Sequence, residues 1–388
     1  MLVLLAAAEL LGMTAWFSAT AATPALISEF HLGAAGAAWL TMAVQGGFVI
    51  GTLASALGNL PDVLNARHLF AVGAAVAAGA NALVTVTESA AVAIALRMLT
   101  GAALACVYPP GMKIAAGWFL ERRGLALGVV VGALTAGKAF PHLLQAVLGE
   151  TGWRTPMLVE SGLTLVAGIL VVTVVRDGPH VPATSRFDPH AAARLFASPG
   201  ARQATLGYLG HMWELYAMWT WVAVFASASL QAAGGADPSR GGSLVAFVAI
   251  ASGTAGCIVA GYIGDRLGKA RVAAAAMAIS AACCLATPAV FGAPAFVLMI
   301  LVTVWGFSVV ADSAQFSALV SEHSRREHVG TALTIQTCLG FLLTMLSIRL
   351  TLELADALGW KWAFLSLVPG PILGIWALRP LMSKRRTI

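Results

Sequence analysis

Gly261-Tyr-Ile-Gly264-Asp265-Arg266-Leu-Gly268-Lys269-Ala-Arg271 is a short polar bridge between two long apolar runs. A weaker copy of it stands 203 residues earlier, at Gly58-Asn-Leu-Pro-Asp62 with Asn65 and Arg67 behind it. Working outward, Arg122-Arg123 returns as Arg325-Arg326 at the same offset of 203, and Gly152-Trp153-Arg154 returns as Gly359-Trp360-Lys361 after 207 residues. Three matches nearly in register point to an internal duplication. Each copy carries a series of apolar runs broken by charged or turn-forming clusters.

Composition says where such runs belong. Of the 388 residues 59% are hydrophobic and only 10% charged, and the mean hydropathy is +0.85. A soluble domain carries roughly 25% charged residues, so water cannot solvate this surface, whereas a bilayer can if helices satisfy the backbone internally. The runs are 2–27, 35–57, 68–86, 89–112, 125–148, 156–175, 203–229, 241–261, 272–290, 295–318, 329–352 and 361–378. At about 20 residues per crossing they predict an all-α membrane protein of twelve transmembrane helices. These form two pseudo-symmetric six-helix bundles, 1–175 and 203–388, joined by a linker at 176–202 that carries four prolines and room for one short helix near His190 to Ala197.

Charge sets the orientation. The even-numbered gaps and the C-terminal tail hold 17 of the 23 Lys and Arg, and the odd-numbered gaps hold only Arg154, Arg240 and Lys361. By the positive-inside rule both termini are cytoplasmic, in the inner membrane of a cell. The net charge of +6 then follows from topology and requires no nucleic-acid partner. The five cysteines all fall in apolar runs without zinc-ligand spacing, so they read as small core residues. No phosphate-binding loop, nucleophile arrangement or metal-ligand cluster is found, which argues against an enzyme, against direct ATP drive and against any cofactor.

The bridge Gly261 to Arg271 resembles the loop motif G-x-L-A-D-R-x-G-R/K of the major facilitator superfamily, with Gly58, Asp62 and Arg67 in its weaker copy. Arg97-Met-Leu-Thr-Gly101 is similar to that family's fourth-helix motif, R-x-x-x-G. The resemblance covers essentially the whole chain. It implies a monomeric secondary transporter in which Gly58, Asp62, Arg67, Gly261, Asp265, Arg266, Gly268, Lys269 and Arg271 latch the cytoplasmic side. Small residues such as Gly261 and Gly264 would let helices approach closely, and Asp265 could cap the following helix and pair with basic residues of the other half. A purely topological role for the basic residues is the alternative.

Charges inside apolar runs cost at least a few kcal/mol each and call for a reason. Arg97 lies about 12 Å into its run at 1.5 Å per residue, and the resemblance implies proton coupling or substrate contact there; helix pairing is the other reading. Lys138 stands near the middle of run five with His142 one turn further on the same face. It suits an anionic substrate, or a structural partner for an acid. His211 and Glu214 share a face of run seven, and Asp312 and Gln315 share one in run ten. Glu214 and Asp312 could exchange protons, or form static pairs such as Glu214 with Lys138 and Asp312 with Arg97. Glu9 reads as reaching the cytoplasmic interface, and Glu160 and Arg349 as interfacial.

The function expected from these features is transport of a small, anionic organic or inorganic solute by alternating access, with protons as coupling ion. The alternative is proton-antiport efflux of drugs or metabolites. Gly128 and Gly137 keep the first interval of a glycine-rich antiporter motif, but Pro141 stands where its next glycine should be.

Overall fold

A computed structural model describes residues 1–119, 123–180, 195–325 and 328–383, with the backbone alone for 34, 61, 62, 123 and 124. The side chains of Asp62 and Arg123, and all of Arg122, Arg186, Arg194 and Arg326, therefore lie outside the described residues, as does most of the expected linker helix.

Every regular element among the described residues is helical. The first half contains α1 (Leu2–Gly12), α2 (Ser18–Ala21), α3 (Thr23–Glu29), α4 (Ala34–Leu57), α5 (Leu60–Val63), α6 (Ala66–Leu83), α7 (Ala90–Leu104), α8 (Tyr108–Trp118), α9 (Arg123–Leu148) and α10 (Arg154–Thr173). The second contains α11 (Pro199–Ala232), α12 (Pro238–Leu267), α13 (Lys269–Val290), α14 (Ala295–Ala311), α15 (Ser313–His323), α16 (Val329–Leu358), α17 (Trp360–Ala363) and α18 (Pro369–Ser383). Ten helical stretches of 20 to 30 residues are long and apolar enough to cross a membrane.

Two of the twelve expected crossings fall outside those ten, for physical reasons. The first is broken: α1 stops at Gly12, and the chain turns through Met13–Phe17 before α2 and α3 continue it. The second, α11, is continuous for 34 residues but carries His211, Glu214, Tyr208 and Tyr216 among its buried positions. A helix that faces protein along much of its length can hold polar groups that lipid would exclude. These two helices occupy corresponding places in the duplicated halves, and both line the centre.

Close backbone approach holds each half together. A Cβ on Gly47, Gly51 or Gly101 would collide with the backbone of the facing helix in the α4–α7 pair, and Gly256 and Gly306 do the same between α12 and α14. The halves then meet along two seams, α9 against α12 and α4 against α16. In the first seam Thr254 Oγ1 donates to the Gly132 carbonyl at 3.0 Å. In the second, Thr344 Oγ1 donates to Gln45 Oε1 at 2.5 Å.

The quoted bridge is mostly helix. α12 runs through Gly261, Gly264 and Asp265 to Leu267, and the chain turns at Gly268, whose φ of +94° favours glycine. Gly264 packs tightly, since a Cβ there would meet Gln315 Oε1 at 2.5 Å, but Gly261 faces open space and needs no small side chain. Asp265 is exposed and does not cap α13, whose N-cap is Gly268 itself with no side-chain hydrogen bond. The described ion pairs of the two bridges do not reach the other half. Arg67 reaches Asp177 at 3.2 Å and the Val175 carbonyl at 3.0 Å, while Lys269 pairs with Glu322 at the end of α15. Arg266 lies over the Tyr262 ring at 4.3 Å, and Arg271 Nε donates to the Met382 carbonyl at 3.3 Å.

Candidate functional site

The break in the first crossing frees backbone carbonyls deep inside the first half. Arg97 on α7 fills that need: Nη1 donates to the carbonyl of Ala15 at 3.0 Å, to Ser18 Oγ at 2.9 Å and to Asn81 Oδ1 at 2.6 Å, and Nη2 donates to the carbonyl of Trp16 at 2.5 Å. A buried guanidinium is tolerable when most of its donors are met; this one is wholly buried, with both Nη atoms bonded and Nε without a partner. Glu160 on α10, also buried, is the carboxylate whose charge acts on it. Arg97 does not line the central cavity. It holds the turn that presents Trp16, which does.

That cavity, of about 80 Å³, lies where the halves meet, between Met13, Trp16, Lys138 and Thr135 on one side and Tyr208, Met212, Tyr216, Trp219 and Phe341 on the other. Among the described residues lining it, Lys138 alone carries a formal charge. The side chain is 3% exposed; its Nζ donates to Tyr216 Oη at 2.5 Å, across the junction of the halves, and the buried Glu9 of α1 is the carboxylate whose charge acts on it, without a direct ion pair. The same ammonium stands 4.1 Å from the Trp16 ring centroid, 4.9 Å from that of Tyr216 and 5.8 Å from that of Trp219. Cation–π attraction and one hydrogen bond thus hold the ammonium in place of a direct ion pair.

The carboxylates sit behind the second wall. His211 Nδ1 lies 2.8 Å from Asp312 Oδ1, a hydrogen bond whenever Nδ1 carries its proton, and His211 Nε2 has no partner. Asp312 occupies the join between α14 and α15, next to Ser313 of the cavity wall. Glu214 points into its own half, where Oε1 accepts from Ser280 Oγ at 2.5 Å, Trp305 Nε1 at 2.7 Å and Cys284 Sγ at 3.1 Å. Neither Glu214–Lys138 nor Asp312–Arg97 is formed. Gln315 turns from Asp312 to the end of α12 and donates to the Ala260 carbonyl at 3.1 Å. His142 is buried beside Phe17 with neither ring nitrogen bonded, outside the cavity wall.

Two acidic residues lie deeper than the sequence suggests. Glu9 is wholly buried, with both oxygens unpartnered and Oε1 against Gly111 at the start of α8, because α1 sinks into the bundle. Glu160 is buried too, 1% exposed on α10. Arg349, by contrast, pairs with Glu353 at 2.8 Å on a half-exposed face. The aromatic wall around Lys138 is legible in the sequence only through the Trp213, Tyr216, Trp219 and Trp221 cluster of run seven, which places rings near the expected cavity; its Trp16, Phe48 and Phe341 side is not. Tyr216 and Trp219 stand out in run seven, but nothing local to Trp16 marks it as their neighbour.

A wider groove of about 510 Å³ lies on the flank of the second half, between α12, α13 and α14. Its walls include the exposed Val259, Leu267 and Ile279, and Arg271 is its single charged lining residue. It opens sideways and touches neither Lys138 nor the buried carboxylates, so the small central cavity is the candidate site.

The fold and the site together define a multi-pass membrane protein with a polar centre between two related helix sets. The chain matches the Major Facilitator Superfamily over residues 5–233 and 213–387, and belongs to that family. It is 24% identical over 308 residues to the MFS transporter asaE of Aspergillus flavus, covering 77% of this chain and 66% of that protein. It is 29% identical over 145 residues to monocarboxylate transporter 13 of Rattus norvegicus, covering 36% of this chain and 32% of that one. The chain thus spans about two-thirds of the first relative and about a third of the second. A mutant of the nucleoside transporter NupG superimposes with a TM-score of 0.74 at 14% identity, covering 99% of this chain and 100% of that one. That likeness shows the fold.

Proposed function

We propose that this protein is a secondary transporter that carries a small anion on Lys138 by alternating access, coupled to protons. In this reading the chain crosses a cell's inner membrane twelve times, with both termini in the cytoplasm, and works as a monomer. The carrying observation is the Lys138 ammonium, buried at the junction of the halves in a cavity that holds no carboxylate among its described lining. A desolvated cation with no carboxylate in direct contact is a strong site for an anion. An arriving anion would take the place of the Tyr216 hydroxyl, and the link that Lys138 makes to the second half would pass to the substrate. The two helix sets could then rock about it. The presence of a monocarboxylate transporter among the relatives supports an anionic cargo.

Protons would travel on the second half, where His211 and Asp312 share one short contact and Glu214 lies nearby. Asp312 borders the cavity wall, so a change of its protonation state would alter the potential at the site. The test is counterflow of radiolabelled small carboxylates in liposomes with and without an imposed pH gradient. The reading expects uptake that the gradient drives and that Lys138→Ala abolishes; uptake unchanged in that variant contradicts it.

Export is the second reading, supported by the glycines of α9. Gly132 accepts Thr254 of α12 closely, and Gly137 packs on the Leu10 backbone of α1. Of the two glycines that keep the antiporter-like interval, Gly128 lies on the α9–α12 seam near the Cys257 carbonyl, while Gly137 packs inside the first half. Inside-out vesicles energised with a proton gradient distinguish the directions, because export fills them and import does not.

A further inference from the structure

Lys138 sets the charge of what the central cavity can take, and the walls set its shape. The Trp16 ring is 5.9 Å from Tyr216 and 5.5 Å from Phe341 by centroid, and Phe341 lies 4.8 Å from Phe48. Tyr216 and Trp219 stand 5.4 Å apart at 65°. These rings come from both halves and surround the ammonium. Ring faces carry negative quadrupole charge, so an anion's charge has to sit on Lys138 while the rest of the molecule lies against the rings. A ligand that meets both demands keeps its charge at one end and a flat apolar body at the other.

Two classes of anion fit poorly. A dianion would leave one of its charges buried without a counter-ion, since the described lining holds a single cation. A small inorganic anion would exchange its hydration shell for ring faces that repel it. Size points the same way. A cavity of about 80 Å³ holds a few waters or a single small ring, far below the roughly 300–1,000 Å³ of drug-sized sites. The lining also carries hydroxyls at Ser313, Ser317 and Thr337, which can receive a polar substituent.

We propose that the central cavity selects aromatic monocarboxylates, with one carboxylate on Lys138 and one flat ring among Trp16, Trp219 and Phe341. The proposal rests on Lys138 being the anion site and adds the class of molecule that the site prefers. Isothermal titration of the purified full chain in detergent tests both, using benzoate, cyclohexanecarboxylate, benzyl alcohol, benzyltrimethylammonium and sulfate as probes.

Offset or edge-on ring contacts predict that benzoate binds roughly tenfold more tightly than cyclohexanecarboxylate. Benzyl alcohol and sulfate should bind far more weakly than benzoate. Lys138→Ala should abolish binding of both carboxylates. Trp219→Leu should shrink the benzoate preference to within about threefold, and Trp219→Phe, which keeps a ring, should restore most of it. Should Trp219→Leu fail to fold, the ligand series on the unaltered protein and on Trp219→Phe decides alone. Equal affinity for the two carboxylates, both lost in Lys138→Ala, overturns the aromatic selection and leaves the anion site standing. Sulfate binding more tightly than benzoate does the same. Binding of benzyltrimethylammonium in place of the carboxylates, or of none of the anions, overturns the anion site itself.

Discussion

The two halves share a fold and differ in how they use buried charge. In the first half the interior cations are Arg97 and Lys138, with the carboxylates Glu160 and Glu9 buried near them; Arg97 is consumed by the broken turn of its own half and Lys138 reaches across the junction to a hydroxyl. In the second half the interior charges are carboxylates, and both are satisfied at home: Glu214 by Ser280, Cys284 and Trp305, and Asp312 by His211. Opposite charges therefore face each other across the centre without pairing. A buried ion pair between the halves would lock them, since breaking one is strongly destabilising, by about 3–5 kcal/mol. Rings, one lysine–tyrosine bond and a few hydroxyl bonds form a junction that can part and re-form at much lower cost.

The largest expected effect comes from disturbing the charge that the first half consumes. Arg97→Met leaves the Ala15 and Trp16 carbonyls buried without donors, and is expected to cost about 3–5 kcal/mol. It should show as a sharply lowered melting temperature in detergent and loss of transport together. Arg97→Lys should recover little, because an ammonium cannot present the flat fork that meets carbonyls and side chains at once.

Lys138→Met should break the comparison the other way. Replacing a buried charge that makes no direct ion pair with an apolar chain of similar length is neutral or stabilising, so transport should vanish while the melting temperature holds or rises. Tyr216→Phe removes one hydrogen bond from the same ammonium, worth roughly 1 kcal/mol, and should change the KM of transport several-fold while leaving turnover near its original value.

On the second half, Asp312→Asn and His211→Gln should leave exchange of substrate between equal pools intact while uptake no longer responds to a pH gradient. Flux measured with and without the gradient in the same vesicles checks this. If exchange falls as far as driven uptake, the pair is structural and the contrast between the halves is weaker.

The smallest effect lies at the rim. Arg154 donates to Glu29 at 2.6 Å and holds that exposed carboxyl below its ordinary range. A depressed carboxyl stabilises the fold above its unfolded pKa and loses that contribution as pH falls through its folded value. Because the pair is exposed, Glu29→Gln should barely move the melting temperature at neutral pH, and any difference from the parent should disappear in acid.

Much of this organisation is legible in the sequence, for reasons of cost. Apolar runs of crossing length and basic residues confined to alternate gaps can hardly be read otherwise, and charges such as Lys138, Glu214 and Asp312 stand out because lipid would reject them. Their partners are not legible. The acceptors of Arg97 exist only because the chain turns at Met13–Phe17, and no proline falls within that stretch to announce it. Trp16 and Tyr216 are 200 residues apart and become neighbours only when the halves close. Gly261 and Gly264 look equivalent in the motif, yet only Gly264 meets a facing side chain. Glu9 sits close to the first residue, where distance along the chain suggests exposure, and its helix carries it into the core.

The central claim is that an anion on Lys138 lets the two helix sets move against each other. Spin labels at the exposed Leu64 and Leu267, one on each half, make it measurable as a distance by double electron–electron resonance. Saturating benzoate is predicted to shift the distance distribution in the parent protein and to leave it unmoved in Lys138→Ala. A distribution that ignores benzoate while calorimetry shows benzoate bound would contradict the account.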